Sequence, residues 1–208
     1  MFDFDVIDAE EHDRQRVRYE QLTDALRKLI DLGIHTDVDD DTARQALTHL
    51  EAAAGLLGQQ LREDRVPLRH AVTGRPVTWG NPVVGLRNAM SPPIVVEHGA
   101  DGRCWSEFTL GPAYEGPPGW VHGGICALVL DQLLGEVASD GLTKARFTGT
   151  ISVRYLRGTP LGPLRAEAFV ERSEGAKTYA KGYLMDAEGP TAEADGVFIM
   201  PAWARDAG

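Results

Sequence analysis

The segment from about His122 to Ser139 limits the folds open to this chain more than any other. Ile125, Ala127, Leu128, Val129, Leu130, Leu133, Leu134 and Val137 leave it apolar on most of its circumference, so it reads as a helix. A helix of that kind must be wrapped by other elements and not laid on a surface. The wrapping material lies on both sides. Ile94–His98 and Arg103–Leu110 flank the turn Gly99-Ala100-Asp101-Gly102 and predict a hairpin. A Gly/Pro cluster, Gly111–Gly119, leads into the helix. Four strands are predicted after it, at roughly 145–156, 163–173, 176–187 and 191–200, parted by Gly158/Pro160, Glu174-Gly175 and Glu188-Gly189-Pro190. Two strands, one helix and four strands is the order of an α+β domain.

The first third reads differently. Val17, Leu22, Leu26, Leu29 and Ile30 keep a helical period over 12–32, with Gly33 as the stop. A second helix is predicted over 42–63, capped by Asp41 or Thr42 and striped by Leu47, Leu50, Ala54, Leu57 and Leu61. An antiparallel pair across Gly33–Asp41 is the expected arrangement. Residues 64–93 then carry Pro67, Gly74, Pro76, Gly80, Pro82, Gly85, Pro92 and Pro93, a linker. The division expected is a helical N-terminal extension and linker over 1–75 and one α+β domain over 76–208. The stripes of the extension call for docking: on the sheet, in the assembly, or on a protein partner.

Charge narrows the partners. The 208 residues carry 21 Lys/Arg and 31 Asp/Glu, a formal charge of −10, of which −9 sits in residues 1–64. That third would repel nucleic acid, and no basic face stands out elsewhere. Cys104 and Cys126 have neither CxxC nor paired Cys/His spacing, so they read as two reduced, buried thiols. The acidic start, MFDFDVIDAEEHD, is not a signal peptide, and the apolar run Ile125–Leu130 is far short of a bilayer span. A soluble, cytoplasmic protein is the expectation. Asp37–Asp41 echoes a calcium loop but has Thr42 and Thr48 where that loop needs Gly and Glu, so it reads as an acidic helix cap. GxSxG, P-loop and GxGxxG motifs are absent. His12, His35, His49, His70 and His98 lack metal-ligand spacing, so neither a metal nor a redox cofactor is expected.

Two features of the apolar segment carry chemistry. Asp131 lies mid-helix between Leu130 and Gln132. An ionised carboxylate is costly to bury unpaired. Asp131 therefore marks either a wetter helical face shared with Gln132, Gly135 and Glu136, or a pocket wall where it serves as general base or nucleophile. The helix also begins on Gly119-Trp120-Val121-His122-Gly123-Gly124. The first N–H groups of a helix lack intrahelical partners and carry the positive end of its dipole, so they can hold a developing oxyanion; a plain glycine-rich helix start is the other reading. His122 and Asp131 are nine residues apart, about 13 Å along a helix. One helix cannot bring its own start and its own Asp131 to one carbonyl. Two antiparallel copies across a twofold axis can, which favours a dimer with composite sites.

The run Tyr114-Glu115-Gly116-Pro117-Pro118-Gly119-Trp120-Val121-His122-Gly123-Gly124, followed by Asp131, resembles the signature of hotdog-fold acyl-CoA thioesterases. It resembles both the PaaI-like group and the related mitochondrial acyl-CoA thioesterases, and its EGPPG-x-VHGG wording is closer to the latter. The likeness covers about residues 94–200, strand order included, and leaves residues 1–90 unmatched. It implies an antiparallel sheet wrapped around the central helix, and hydrolysis of an acyl-CoA to a free acid and CoA, with coenzyme A present only as part of the substrate. By position it assigns Asp131 to activating water or attacking the thioester, and the Gly123 N–H to polarising the carbonyl. His122 supports that oxyanion site, and Thr148 in TGTISVRY orients the water. Gly124 and Gly116 line the substrate site. Arg154, Arg157 and Lys177, with Arg172 and Lys181, are candidates for the CoA phosphates, each equally readable as a solvated sheet edge. One departure stands out. Many PaaI-like members carry Asn or Gln six residues before the His, where this chain has Gly116; the polar contact is missing, or Glu115 or a backbone group replaces it. Gln132 remains unassigned. A homodimer or dimer of dimers is implied. The alternative is a non-catalytic acyl-CoA or lipid-binding regulator on the same fold; a hydratase ranks below it, lacking its His-centred pairing.

Overall fold

A computed structural model describes residues 4–61 and 67–205. Among these, six strands form one antiparallel sheet: β4 (Glu97–His98), β5 (Cys104–Leu110), β6 (Phe147–Tyr155), β7 (Gly162–Glu174), β8 (Lys177–Asp186) and β9 (Gly189–Ile199). Their order across the sheet is β4-β5-β7-β8-β9-β6. The 3-10 turn Pro112–Tyr114 follows β5, and α3 (Gly123–Ala138) lies in the hollow of the sheet. α1 (Ala9–His35) and α2 (Asp40–Leu57) form the N-terminal extension, and a short helix, α4 (Ala202–Arg205), follows the last strand. This is the hotdog arrangement expected from the resemblance.

The wrapping follows from side-chain size. α3 buries Cys126, Val129, Leu130, Leu133, Leu134 and Val137 against the sheet. The floor beneath is built of small residues: Ala166, Ala168, Ala180, Ala192 and Ala194 are almost fully buried. Gly182 and Gly196 complete it, and a Cβ on either would lie 3.3–3.4 Å from Leu134. Large leucines from the helix thus enter a shallow sheet floor, the large-against-small packing of a dense interior.

The extension differs in part from its sequence reading. α1 starts at Ala9, three residues before the predicted start at 12, because Asp8 caps it by accepting from the Glu11 N–H at 2.8 Å. α1 docks on the linker and the 3-10 turn: Arg27 donates to the Ser91 carbonyl and hydroxyl at 3.3 and 3.2 Å, and Thr23 is buried. A small sheet, β1 (Asp5–Ile7) parallel to β2 (Leu68–His70) and β2 antiparallel to β3 (Pro76–Val77), ties the chain start to the linker. The expected antiparallel helix pair is not formed. α2 starts at Asp40, capped by Asp39, and every residue from Leu32 to Leu61 is exposed. Leu22, Leu26 and Ile30 of α1 are half-buried, while Val17, Leu29 and Leu32 stay exposed, so α2 does not cover the rest of that stripe. Among the described residues no helix is long and apolar enough to cross a membrane.

Candidate active site

The loop before α3 is shaped by close backbone approach. Its ends pair as Glu115 with Val121, the Gly116 N–H donates to the Trp120 carbonyl at 2.8 Å, and the His122 N–H donates to the Tyr114 carbonyl at 2.9 Å. A Cβ on Gly116 would lie 2.9 Å from the His122 Cα, so this backbone excludes an Asn or Gln there. Glu115 does not reach out in its place: its Oε1 accepts from the Gly119 N–H at 2.6 Å. The missing amide is therefore a consequence of how tightly the loop folds onto His122.

His122 caps the helix, its Nδ1 accepting from the Gly124 N–H at 3.0 Å. An accepting Nδ1 places the proton of the neutral ring on Nε2. On the other side, the Tyr155 hydroxyl donates to the Gly123 carbonyl at 2.8 Å, and its ring lies 3.4 Å from where a Gly123 Cβ would stand. Partial burial pushes the Tyr155 phenol above its ordinary value, which keeps it a donor. The peptide joining Gly123 to Gly124 is thus held at both ends, its carbonyl by Tyr155 and its N–H by His122. The Gly123 N–H itself has no acceptor among the described residues. It is a free donor at the positive end of a helix, on a fixed backbone.

Asp131 stands at the other end of this stretch, half-buried, with its Oδ1 accepting from the Thr148 hydroxyl at 3.0 Å. Thr148 reaches it from β6, the edge strand, beside a bulge between Thr148 and Thr150. Bulges re-aim side chains, and this one sits where the threonine turns to the helix. A Cβ on Gly149 would lie 2.8 Å from the Ile199 side chain and 3.2 Å from the Val197 carbonyl oxygen, so the bulge packs closely on β9. Gly123 and Asp131 are eight residues apart on α3, about 12 Å. The structure therefore brings His122, Gly123, Gly124 and Gly116 together at one end of α3, and Asp131 with Thr148 towards the middle.

The candidate phosphate contacts divide between the same regions. Arg154 pairs with Glu193 at 2.7 Å but remains mostly exposed. Arg157 grips Asp186 with two N–H groups and donates to the Gly189 carbonyl at 2.8 Å, so it braces the β8–β9 turn and is not a free anion ligand. That grip holds the Asp186 carboxyl down, to about 2. Lys177 is exposed at the opposite end of the sheet, in line with Phe147 through Ile199. Arg172 pairs with Glu174 and covers the Tyr179 ring, and Lys181 faces Asp195.

Two features escaped the sequence reading. Tyr155 served there only as a landmark of its strand; the exposed aromatic at the end of TGTISVRY was the available signal. The second is the pairing of Glu136, read from the sequence only as a member of a wetter face: it is 2% exposed, its Oε2 lies 2.8 Å from Arg75 and 3.3 Å from His98, and its Oε1 accepts from Gln132 at 3.3 Å. A second acidic residue in so apolar a helix was the signal, but its partners lie 61 and 38 residues away in sequence. This cluster borders a cavity of about 600 Å³ between α1, the linker and α3, lined by His12, Arg75, Trp79, Ile94, Glu136 and Leu142 among others.

No family model matches the chain. Acyl-coenzyme A thioesterase THEM4 of Xenopus laevis is 36% identical over 81 residues, covering 38% of this chain and 36% of that protein. Acyl-coenzyme A thioesterase THEM5 of Mus musculus is 28% identical over 113 residues, covering 51% of this chain and 44% of that protein. The chain thus spans less than half the length of either curated relative. The crystal structure of a thioesterase superfamily protein is 34% identical, covers 87% of this chain and 94% of its own, and superposes with a TM-score of 0.78. With that likeness running through the extension as well as the wrapped helix, the chain belongs to the thioesterase superfamily and carries its hotdog fold.

Proposed function

We propose that this chain hydrolyses acyl-CoA thioesters in a site shared between two copies. The observation that carries the proposal is a pair of half-sites on one helix: a clamped, unoccupied N–H at Gly123, and a carboxylate held by a hydroxyl at Asp131. Each supplies one half of thioester hydrolysis, and the 12 Å or so between them forbids a single copy from using both. The long free edge of β6 supports the pairing. A second β6 added antiparallel there sets the Thr148 end of one copy against the Tyr155 end of the other. Both curated relatives are named acyl-coenzyme A thioesterases, which supports the choice of substrate.

In this reading the thioester carbonyl accepts from the Gly123 N–H of one copy. Thr148 holds Oδ1 of Asp131 in the other copy, leaving Oδ2 to act. Oδ2 takes a proton from water as the water oxygen attacks the carbonyl carbon, or it attacks that carbon itself to give an anhydride that water opens. In both routes the negative charge on the carbonyl oxygen is met by the Gly123 N–H, and the carbon–sulfur bond breaks to release the CoA thiolate. His122 and Gly124 keep the donor peptide in place. Arg154, on the edge strand of one copy, is placed to meet a CoA phosphate, and Lys177 of the other, two strands in from that edge, lies at the same end of the paired sheets. Neither a metal nor a redox cofactor has a part in either route.

The test is free-thiol release from a panel of short, long and aromatic acyl-CoAs, with wild type and Asp131→Asn in parallel. Turnover by wild type that collapses by about a hundredfold or more in the variant, with substrate binding retained, is the expected result. Wild-type binding without turnover would transfer the site to a non-catalytic acyl-CoA-binding regulator. Label found in the Asp131 carboxylate after a single turnover in water labelled with heavy oxygen would require the anhydride, opened at its aspartyl carbon.

A further inference from the structure

The cavity beside Glu136 has no part in the thioester chemistry, since neither Gly123 nor Asp131 lines it. At about 600 Å³ it has the volume of a small-molecule site. Much of its wall is apolar, with Val77, Trp79, Val84, Ile94 and Leu142 among the lining residues. Six charged side chains border it as well: Arg16, Glu20, Asp24, Arg27, Arg75 and Glu136. Three of them are committed. Arg27 is bound to Asp24 and to Ser91, and Glu136 accepts from Arg75 on one oxygen and from Gln132 on the other.

What remains unspent is mainly capacity to donate. The Arg75 guanidinium gives one terminal nitrogen to Glu136, and the rest of its fork is free of side-chain partners among the described residues, with 36% of the side chain exposed. Arg16 makes no ion pair among the described residues. His70 accepts on Nδ1 from the Val72 and Thr73 N–H groups at 3.2 and 3.3 Å, which leaves its Nε2–H as a donor. Against these stands one unspent carboxylate, the exposed Glu20. The backbone adds an independent observation. Asp140, Gly141 and Leu142 follow α3 with φ of 53°, 67° and 62°. A left-handed leucine is uncommon, and such conformations collect at ligand clamps and similar sites, where the surroundings impose them. Here the turn packs on the charged cluster, because a Cβ on Gly141 would stand 3.6 Å from His98 and 3.7 Å from Arg75, and it brings Leu142 to the cavity wall.

We propose that this cavity is a second ligand site, and that it takes a monocarboxylate with an apolar chain or ring. The carboxylate lies on Arg75 and Arg16, whose planar forks match its two oxygens, and the apolar body lies on Trp79, Ile94 and Leu142. Glu136 beside Arg75, and Glu20 one turn from Arg16, limit the negative charge that can be held, which favours a monoanion over a phosphate.

The test uses the full chain with octanoate and cyclohexanecarboxylate as probes. The reporter is the Trp79 indole N–H signal in a nuclear magnetic resonance spectrum, assigned among the four tryptophans by its loss in Trp79→Phe. At least one probe is expected to shift that signal saturably. Octan-1-ol should bind at least about tenfold more weakly than octanoate, the loss of one charge-assisted contact, and acetate should leave the signal in place. Two variants locate the halves of the ligand. Arg16→Gln, at an exposed position, should weaken the acid about tenfold. Leu142→Gly suits the left-handed backbone, so it should weaken the acid while the chain stays folded by thermal unfolding. A Trp79 signal that neither acid moves overturns the proposal, and so does one whose response is unchanged in both variants. Octylamine or inorganic phosphate binding as well as octanoate overturns the choice of a monocarboxylate. A shift of Trp120, in the loop before His122, in place of Trp79 would put the acid in the thioester site and overturn the second site. The readouts are binding signals away from Gly123 and Asp131, so a failed thioesterase assay leaves them untouched.

Discussion

Removing Arg75 should cost more stability than removing almost any other residue that is a third exposed. Its guanidinium is the main counter-charge to Glu136, whose side chain is 2% exposed inside an apolar helix, at 2.8 Å. Breaking a fully buried pair by deleting one partner costs about 3–5 kcal/mol, because a charge is left in low dielectric without compensation. Two facts reduce that figure here. The Arg75 side chain is 36% exposed, so water reaches part of the gap, and His98 remains 3.3 Å from the same oxygen. Arg75→Met is therefore expected to lose about 2–3 kcal/mol. For a chain of this size that is a fall in Tm of roughly 4–12 °C. Thermal unfolding at fixed protein concentration measures it, since association also shifts Tm. The decisive comparison is Arg75→Met with Glu136→Met, which replaces the pair by apolar volume and should recover most of the loss. A single variant within about 0.5 kcal/mol of wild type, or a double variant no better than the single one, would refute the reasoning.

Three further outcomes are expected. Tyr155→Phe removes only the hydroxyl that holds the Gly123 carbonyl, so kcat should fall roughly five- to fiftyfold with KM and Tm little changed; a rise in KM alone would make Tyr155 a substrate contact. The folded Asp186 carboxyl sits at about 2, below its ordinary value, so the stability it confers is complete above the ordinary carboxylate range and is lost as pH falls through roughly 4 to 2. The stability gap between wild type and Asp186→Asn should therefore close over that window, and a gap independent of pH would contradict the assignment. Cys104 and Cys126 are 0% and 1% exposed, and burial pushes the Cys104 thiol to about 12. A thiol reagent at pH 8 should label neither in the native protein and both once it is unfolded; rapid native labelling would mean that α3 lifts from the sheet.

The sequence read most clearly where one helix and one period decided the outcome. The girth of α3 demanded a wrapping sheet, and the four strands after it fell where turn residues predicted, because each strand is bounded by glycine or proline. Of the predicted strand Ile94–His98 only the last two residues, Glu97–His98, join the ladder. Asp131 and the glycines at His122 were visible because they break the local pattern. Tyr155 and Arg75 were not, because each acts by reaching an element remote in sequence, and nothing local distinguishes such a residue from an ordinary surface one. The helix pair failed for a related reason. An apolar stripe carries no address, and α1 found part of its cover in the linker while Val17 and Leu29 stayed exposed.

The alanine and glycine floor under α3 has a consequence for how this protein tolerates change. Both half-sites hang from the same rigid rod, the donor at its start and the carboxylate near its middle. A methyl group added at Gly182 would stand 3.0 Å from the Glu167 carbonyl oxygen and 3.4 Å from Leu134, and one at Gly196 would stand 2.6 Å from the Phe198 ring and 3.3 Å from Leu134, so housing it shifts the strand or the ring and presses on that rod. Raising it shifts Gly123 and Asp131 together, relative to a second copy that does not move with them. The positions most sensitive to small enlargements are thus on the side of the helix turned away from any ligand. A screen of substitutions should find a fragile patch there, walled off from the chemistry it disables.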